Sequence, residues 1–348
     1  MEDQTWPERP IYSRRRILAL GGAAAAAAAF LAACGSDDNG NTSATTTPAG
    51  GSGAPSDTAA PDTAAPTPTE TVAVNTTEPT SGGPNAAKFG GGGGDGTVKI
   101  GFTAPLTGAL AGFGEANPFI LDSINKLTAD GIMLGDKSYK VEIIQKDVES
   151  SSDTAASQAG SLILDDGVDL MLAIATPEMI NPVADQCEAN GVPCLSTLAP
   201  WQPYFLGRGG DPAKGFDWTY HFFWGADQLV GVFADMWQTV ETNKIVGLLC
   251  PNDPDGNALA SPDTGFPAGA KANGYTMIDP GRFEDGTTDF SGIIGQFKQQ
   301  NVEIITGIPI PPDFANFWTQ ANQQGLKPKL VTMAKAVLFS SAVEALGD

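Results

Sequence analysis

The chain has 348 residues, 40 acidic against 19 basic, a formal net charge of −21 and a single histidine. A carboxylate surplus of that size excludes a nucleic-acid binder, because phosphate neutralisation needs clustered Lys and Arg. Glycine and proline are dense before residue 97, which leaves roughly 250 residues for a core, enough for one large domain or two small ones.

Residues 1–34 read as an export signal. Ser13-Arg14-Arg15-Arg16 precedes an apolar run from Ile17 to Ala33, and a positive segment before a short apolar one is a signal peptide rather than a spanning helix. The paired arginines resemble the twin-arginine export address. The run ends in Leu31-Ala32-Ala33-Cys34-Gly35, which resembles a bacterial lipobox and makes Cys34 the expected lipidation site. The protein is therefore expected outside the cytoplasm, anchored to the cell membrane by lipid. Residues 35–96 are rich in Thr, Ala, Pro and Gly, lack the apolar content for a core, and are expected to form a disordered tether. The Gly90–Gly94 run precedes a strand, the reverse of the order a dinucleotide fingerprint requires.

From Thr97 onward, strand and helix patterns alternate. Val98–Phe102 is a strand, followed by a glycine-rich loop from Thr103 to Gly114 and a helix carrying Ile120, Ile124 and Leu127. Tyr139–Asp147 is the second strand, and Ser151-Ser152-Asp153 caps a helix with Ala155, Ala159, Leu162 and Ile163 on its face. Val168–Ala175 is apolar throughout, as a strand covered on both faces should be. A helix through Val183 and Cys187 ends at Asn190-Gly191, and Pro193–Ser196 is a short strand. Residues 197–217 read as irregular, and the aromatic run Trp218–Gly225 as one extended segment.

The alternation then restarts. Helices are expected at 227–240, 266–273, 289–300, 313–324 and 336–345, and strands at 244–250, 275–278, 302–307 and 330–333. Residues 251–256 read as a loop. Two runs of βαβα units joined by an extended segment predict an α/β protein of two lobes, residues 97–222 and 223–348, each a parallel sheet flanked by helices, with a ligand cleft between them.

No enzyme constellation stands out: there is no G-x-S-x-G elbow, H-E-x-x-H or Walker loop. Neither a metal nor a cofactor is expected. His221, inside an apolar run, reads as structural. Asn252–Gly256 superficially resembles a calcium loop, but Pro251 and Pro262 stand where its first and twelfth ligands would be. Cys187 and Cys194 leave two readings open, a disulfide or two buried thiols, and Cys250 reads as buried.

Val98-Lys99-Ile100-Gly101, Ala104–Gly108, Phe113-Gly114, Asp147, Ala199-Pro200, Thr288–Ser291 and Gln324–Lys327, in this order, resemble the type I periplasmic binding proteins of the leucine/isoleucine/valine-binding branch. The resemblance implies a monomer that captures a small solute (an amino acid, amide or small carboxylate) and hands it to an ABC permease. A sensory module of the same fold is the alternative. It also implies ligand contacts at Phe113, Thr176, Pro177, Leu198, Ala199 and Trp201 on lobe one. On lobe two it implies Asp255, Ile310 and either Ala334 or Lys335, where a lysine would favour an anionic group on the ligand. Relatives return with further strands and helices to both lobes, so the second lobe is expected to be incomplete at Asp348.

Overall fold

A computed structural model describes residues 88–347, all within one compact unit of the chain. The signal segment, Cys34 and most of the tether lie outside the described residues. The last part of that expected tether is folded. β1 (Lys88–Phe89) is followed by glycines whose amides bond back into the lobe: Gly90 N donates to Gly131 O, Gly92 N to Asp130 O, and Gly93 N to the Ser138 hydroxyl. Glycine serves here because the backbone runs against its neighbours; a Cβ on Gly91 would stand 2.4 Å from the Met133 sulfur.

Lobe one continues with β2 (Thr97–Ala104), α1 (Asn117–Leu127), β3 (Ile132–Leu134), β4 (Lys137–Asp147) and α2 (Ser152–Leu164). After these come β5 (Leu170–Ile174), α3 (Pro177–Asn190), β6 (Cys194–Thr197), α4 (Trp201–Phe205) and β7 (Thr219–His221). The sheet order is β1-β3-β4-β2-β5-β6-β7, antiparallel at β1-β3-β4 and parallel from β4 onward. Local chemistry sets the helix ends. The Ser151 hydroxyl accepts from Thr154 N at the start of α2. α3 begins on Pro177 and stops at Gly191, whose φ of 68° suits glycine.

Lobe two holds α5 (Ala226–Trp237), β8 (Ile245–Leu249), α6 (Pro254–Leu259), α7 (Phe266–Ala272) and β9 (Thr276–Ile278). It closes with α8 (Ser291–Gln299), β10 (Ile304–Gly307), α9 (Pro311–Gln323), β11 (Leu330–Met333) and α10 (Ser340–Ala345). Its four strands, in the order β11-β10-β8-β9, are all parallel. Both sheet faces are covered. Val246, Leu248 and Ile304 pack with Phe233, Trp237 and Phe266 on one side, and Leu249 and Ile305 with Phe297, Phe314 and Phe317 on the other. The buried Trp237 indole donates to the Thr332 hydroxyl at 3.0 Å, so its polar edge is satisfied inside the core.

Several elements differ from the sequence expectation. The aromatic run is extended only over β7; the chain then crosses to lobe two, and α5 begins at Ala226. Residues 201–205, read as irregular, form α4, and the loop expected at 251–256 turns into α6 after Asp253. β3 is short, and its pairing with β4 carries no strong alternation in sequence.

At the carboxyl end of β10, a Cβ on Gly307 would lie 1.8 Å from the Leu249 carbonyl oxygen, a contact no rotamer can relieve. Gly307→Ala is expected to lower unfolding stability by about 3 kcal/mol, as overpacking against backbone does. Chemical denaturation, read as a fall in midpoint at unchanged slope, measures it.

Candidate functional site

Parallel pairing brings the carboxyl ends of β2, β4, β5 and β6 to one edge of lobe one, and those of β8, β10 and β11 to one edge of lobe two. A cleft of about 150 Å³ lies where these edges meet. Lobe one lines it with Ala109, Leu110, Ser150, Thr176, Glu178 and Met179; lobe two contributes Asp253, Asp285, Ile310 and Lys335.

The lobe-one rim is built from backbone in uncommon conformations. Six described non-glycine residues have left-handed φ values, and four of them lie just beyond cleft-facing strand ends: Glu149 (53°) and Ser150 (54°), Ala175 (108°), and Leu198 (76°). Each such residue costs on the order of 1–3 kcal/mol and persists only when its surroundings enforce it. Ser150 is enforced on both sides, its hydroxyl donating to Thr107 O and accepting from Leu110 N. Thr176 is the N-cap of α3 and only 2% exposed, yet its hydroxyl does not cap the helix and has no partner. A threonine at that position usually spends its oxygen on the first helical turn. Here the oxygen is buried and unused in a residue that lines the cleft.

Lobe two supplies an ion triad. Lys335, directly beyond β11 and 4% exposed, places its Nζ 2.5 Å from Asp253 Oδ2 and 3.3 Å from Asp255 Oδ2. Asp253 is also the N-cap of α6, accepting from Gly256 N at 2.5 Å, with Pro254 as the first helical residue. Burial alone would push the Lys335 ammonium down; Asp255, Asp253 and Glu178 reverse that and hold it well above the ordinary lysine range. Burial, reinforced by Asp253 and Glu178, pushes the Asp255 carboxyl up to about 7 against the pull of Lys335. Asp285, at the cleft mouth, rises to about 6 through partial desolvation and the charge of Asp253, with Lys335 opposing.

The lobes meet around this cleft. Ile310 of lobe two is counted in the lobe-one core with Leu110, Met179 and Ile180. Phe339, in the segment after β11, stacks edge-on against Phe113 at 5.0 Å, and the Ser341 hydroxyl bonds to Glu115.

The expected ligand contacts divide accordingly. Thr176, Ile310 and Lys335 line the cleft, and Lys335 rather than Ala334 occupies the lobe-two position, since Ala334 is packed in the core. Asp255 stands behind Lys335 as its ion partner. Phe113 packs edge-on against Phe339 and is not among the residues lining the cleft. Pro177 is buried in the first turn of α3, and Leu198 is packed against the lobe-one core. Ala199 is fully buried and its carbonyl accepts from His221 Nε2 at 2.7 Å. Trp201 belongs to the crossing between lobes: its amide bonds to Trp224 O, and its indole sits against Gly225.

Lys335 is also no free anion receptor, because two carboxylates already take its charge. Glu178, Asp253 and Asp285, which line the cleft with it, were not singled out in the sequence. An Asp-Pro step ahead of Asp-Gly could have identified Asp253 as a helix cap, whereas Asp285 carries no local signal.

Away from the cleft, His221 is a framework residue: Nδ1 meets the Ser196 hydroxyl at 2.9 Å, the ring stacks on Tyr204, and burial holds its pKa below the usual value. Of the two readings for Cys187 and Cys194, the structure shows free thiols, both buried; the contact with Cys194 pushes the Cys187 thiol up. Cys250 is buried as well.

A seven-stranded sheet, parallel from β4 onward, and a four-stranded parallel sheet meet at a polar cleft between their strand ends, which makes the described chain two-lobed. Residues 97–348 match the periplasmic binding protein family, and the chain belongs to that family. Its fold is similar to the leucine binding protein LivK of Thermotoga maritima, with a TM-score of 0.60 at 19% identity, covering 72% of this chain and 67% of that one. It is also similar to an ABC transporter solute binding protein of R. palustris in complex with 4-hydroxybenzoate, with a TM-score of 0.60 at 18% identity, covering 72% and 65%. A Leu/Ile/Val-binding protein homolog from Brucella melitensis is 26% identical over 213 residues, 60% of this chain and 53% of that protein. The chain thus spans about half the length of this curated relative. No helix among the described residues is long and apolar enough to cross a membrane.

Removing the Lys335 ammonium leaves Asp253 and Asp255 unpaired. Lys335→Ala is expected to cost about 3–5 kcal/mol at pH 8, where Asp255 is ionised. The loss should shrink at pH 5, where Asp255 takes up a proton. In the unsubstituted protein the sign is set by raised carboxyl pKa values. Asp255 and Asp285 bind protons in the folded state that the unfolded chain releases above its ordinary value of 3.8. Their stabilising contribution is complete below that value and fades as pH rises through about 6 to 7. Melting temperature measured against pH should therefore decline across this window, and Asp285→Asn should flatten the decline.

Proposed function

We propose that this protein is an extracytoplasmic solute-binding lipoprotein that captures a small molecule between its two lobes and delivers it to an ABC importer. The observation that carries the reading is the cleft itself, lined from both lobes, small, and rimmed by strained backbone and unused polar groups. The ligand is an amino acid, amide or similarly small solute. Thr176 and Glu178 offer contacts from lobe one, Asp285 and Ile310 offer them from lobe two, and Lys335 and Asp255 shape the lobe-two wall. Closure is hinge motion: a ligand stabilises the closed form only through contacts it lacks in the open one.

Lipid attachment at Cys34 after twin-arginine export keeps a monomeric receptor beside its permease in this proposal. The protein acts by binding, and no catalytic step is assigned to the cleft.

The test is a thermal-shift panel of amino acids, amides, amines and small carboxylates on the full chain, followed by titration calorimetry. A solute that binds with micromolar dissociation constant should raise the melting temperature in a concentration-dependent way, by about 2.7 kcal/mol of stabilisation at a hundredfold excess over the dissociation constant. Chemical conversion of the bound solute, or a panel with no stabilising member, would refute solute capture.

A further inference from the structure

The balance of charge in the cleft restricts the ligand further, on the solute-capture reading above. Four carboxylates, those of Glu178, Asp253, Asp255 and Asp285, surround one ammonium, that of Lys335. That ammonium is already taken up by Asp253 and Asp255 inside lobe two, and no other basic side chain lines the cleft. A ligand carboxylate would therefore find no cation to pair with, and would face Glu178 and Asp285 at close range.

Buried oxygens without partners, by contrast, are what the site holds. Thr176 Oγ1, Glu178 Oε1 and Asp255 Oδ1 are buried oxygens with no hydrogen-bond partner, and the first two belong to residues lining the cleft. Thr176 is an independent witness, since it is 2% exposed and, standing as an N-cap, declines to cap its own helix. Buried oxygens without partners cost free energy; the carboxylate oxygens can only accept while ionised, the Thr176 hydroxyl can also accept, and an ammonium brings three N–H groups to satisfy them. The remaining wall, formed by Leu110, Met179 and Ile310, is apolar.

We propose that the cleft selects a net-cationic solute, a primary ammonium on a short apolar body without a free carboxylate, such as an amine or an amino-acid amide. The ammonium lies between Glu178 of lobe one and Asp285 of lobe two, within reach of the Thr176 hydroxyl. It draws the two lobes together by replacing repulsion between two carboxylates with attraction of each to a shared cation. The apolar body packs on Met179 and Ile310.

The experiment compares probes that share a side chain and differ in charge, on the full chain at pH 7 and low salt. The sets are leucinamide, leucine and 4-methylpentanoate, then alaninamide, alanine and propionate. Within at least one set the amide cation should bind about tenfold more tightly than the zwitterion, and the carboxylate should give no thermal shift. Glu178→Gln and Asp285→Asn should each weaken binding of that cation about tenfold and reduce its salt dependence. Melting curves of both variants without probe establish that they fold.

Tighter binding of either zwitterion or carboxylate would overturn the cation assignment while leaving solute capture standing. Calcium that stabilises the protein more than any ammonium would overturn it too. If every amide, zwitterion and carboxylate, and the broader panel, fails to bind, solute capture itself is refuted and the cation assignment with it.

Discussion

The Lys335 triad fixes the character of the whole cleft. Its three members come from segments far apart in sequence, Asp253 and Asp255 just after β8 and Lys335 just after β11, with β10 between these strands. Only parallel pairing delivers both segments to one edge, and the tight approach of Gly307 to Leu249 keeps the intervening strand end from filling that space. A buried ammonium with two carboxylates is weak evidence of net stability, since desolvation offsets much of the attraction. Its consequence for recognition is larger. A lysine committed to its own lobe cannot serve a ligand, so the cleft presents acid despite having a buried base at its centre.

Lobe one faces this acid with an edge of a different kind. Its contribution is conformational: strand ends turned sharply through left-handed residues at 149, 150, 175 and 198, which present Ser150 and the first turn of α3 to the cleft. Ser150 is fully engaged in holding the loop between Thr107 and Leu110, so it is part of the frame. Thr176 is not, and this sets apart the two hydroxyl residues that line the cleft. Farther out, the crossing between lobes is clasped by Gln202, whose amide accepts from Ala226 N and donates to Asp227. The aromatic run thus serves the connection between lobes, with Trp201 against Gly225 at its centre.

Strand and helix order was legible because parallel strands such as Leu170–Ile174 are apolar without interruption and are followed by helices with a proline in the first turn and a glycine at the end. What escaped were elements defined by partners instead of period. β1 and β3 are short edge strands, α4 and α6 are helices of about one turn, and Gly91 and Gly93 look like linker until β3 and β4 are seen against them. At the cleft, resemblance pointed to Thr176, Ile310 and Lys335, which the structure brings into its lining, yet it could not show that Lys335 is spoken for. That fact depends on Asp253, some eighty residues away in sequence, and on burial, neither of which a single chain pattern carries. Phe113 illustrates the converse. Its place in the loop after β2 was right, while its side chain is claimed by Phe339, which no local pattern links to it.

The contacts between lobes pull in opposite directions. Packing of Ile310 into the lobe-one core, the Phe113–Phe339 pair and the Ser341–Glu115 bond favour lobes that touch. Glu178 and Asp285, sharing one small cleft, favour lobes that part, and their repulsion is stronger for being partly removed from water. Apolar packing is insensitive to what occupies the cleft, whereas the carboxylate repulsion is cancelled by a cation and increased by an anion. A hinge poised between these two terms gains differential stabilisation from ligand charge directly, with no need for a long chain of rearrangements. Under the cationic-ligand proposal the acidity that makes the closed form costly without solute is the same property that makes closure report the right one.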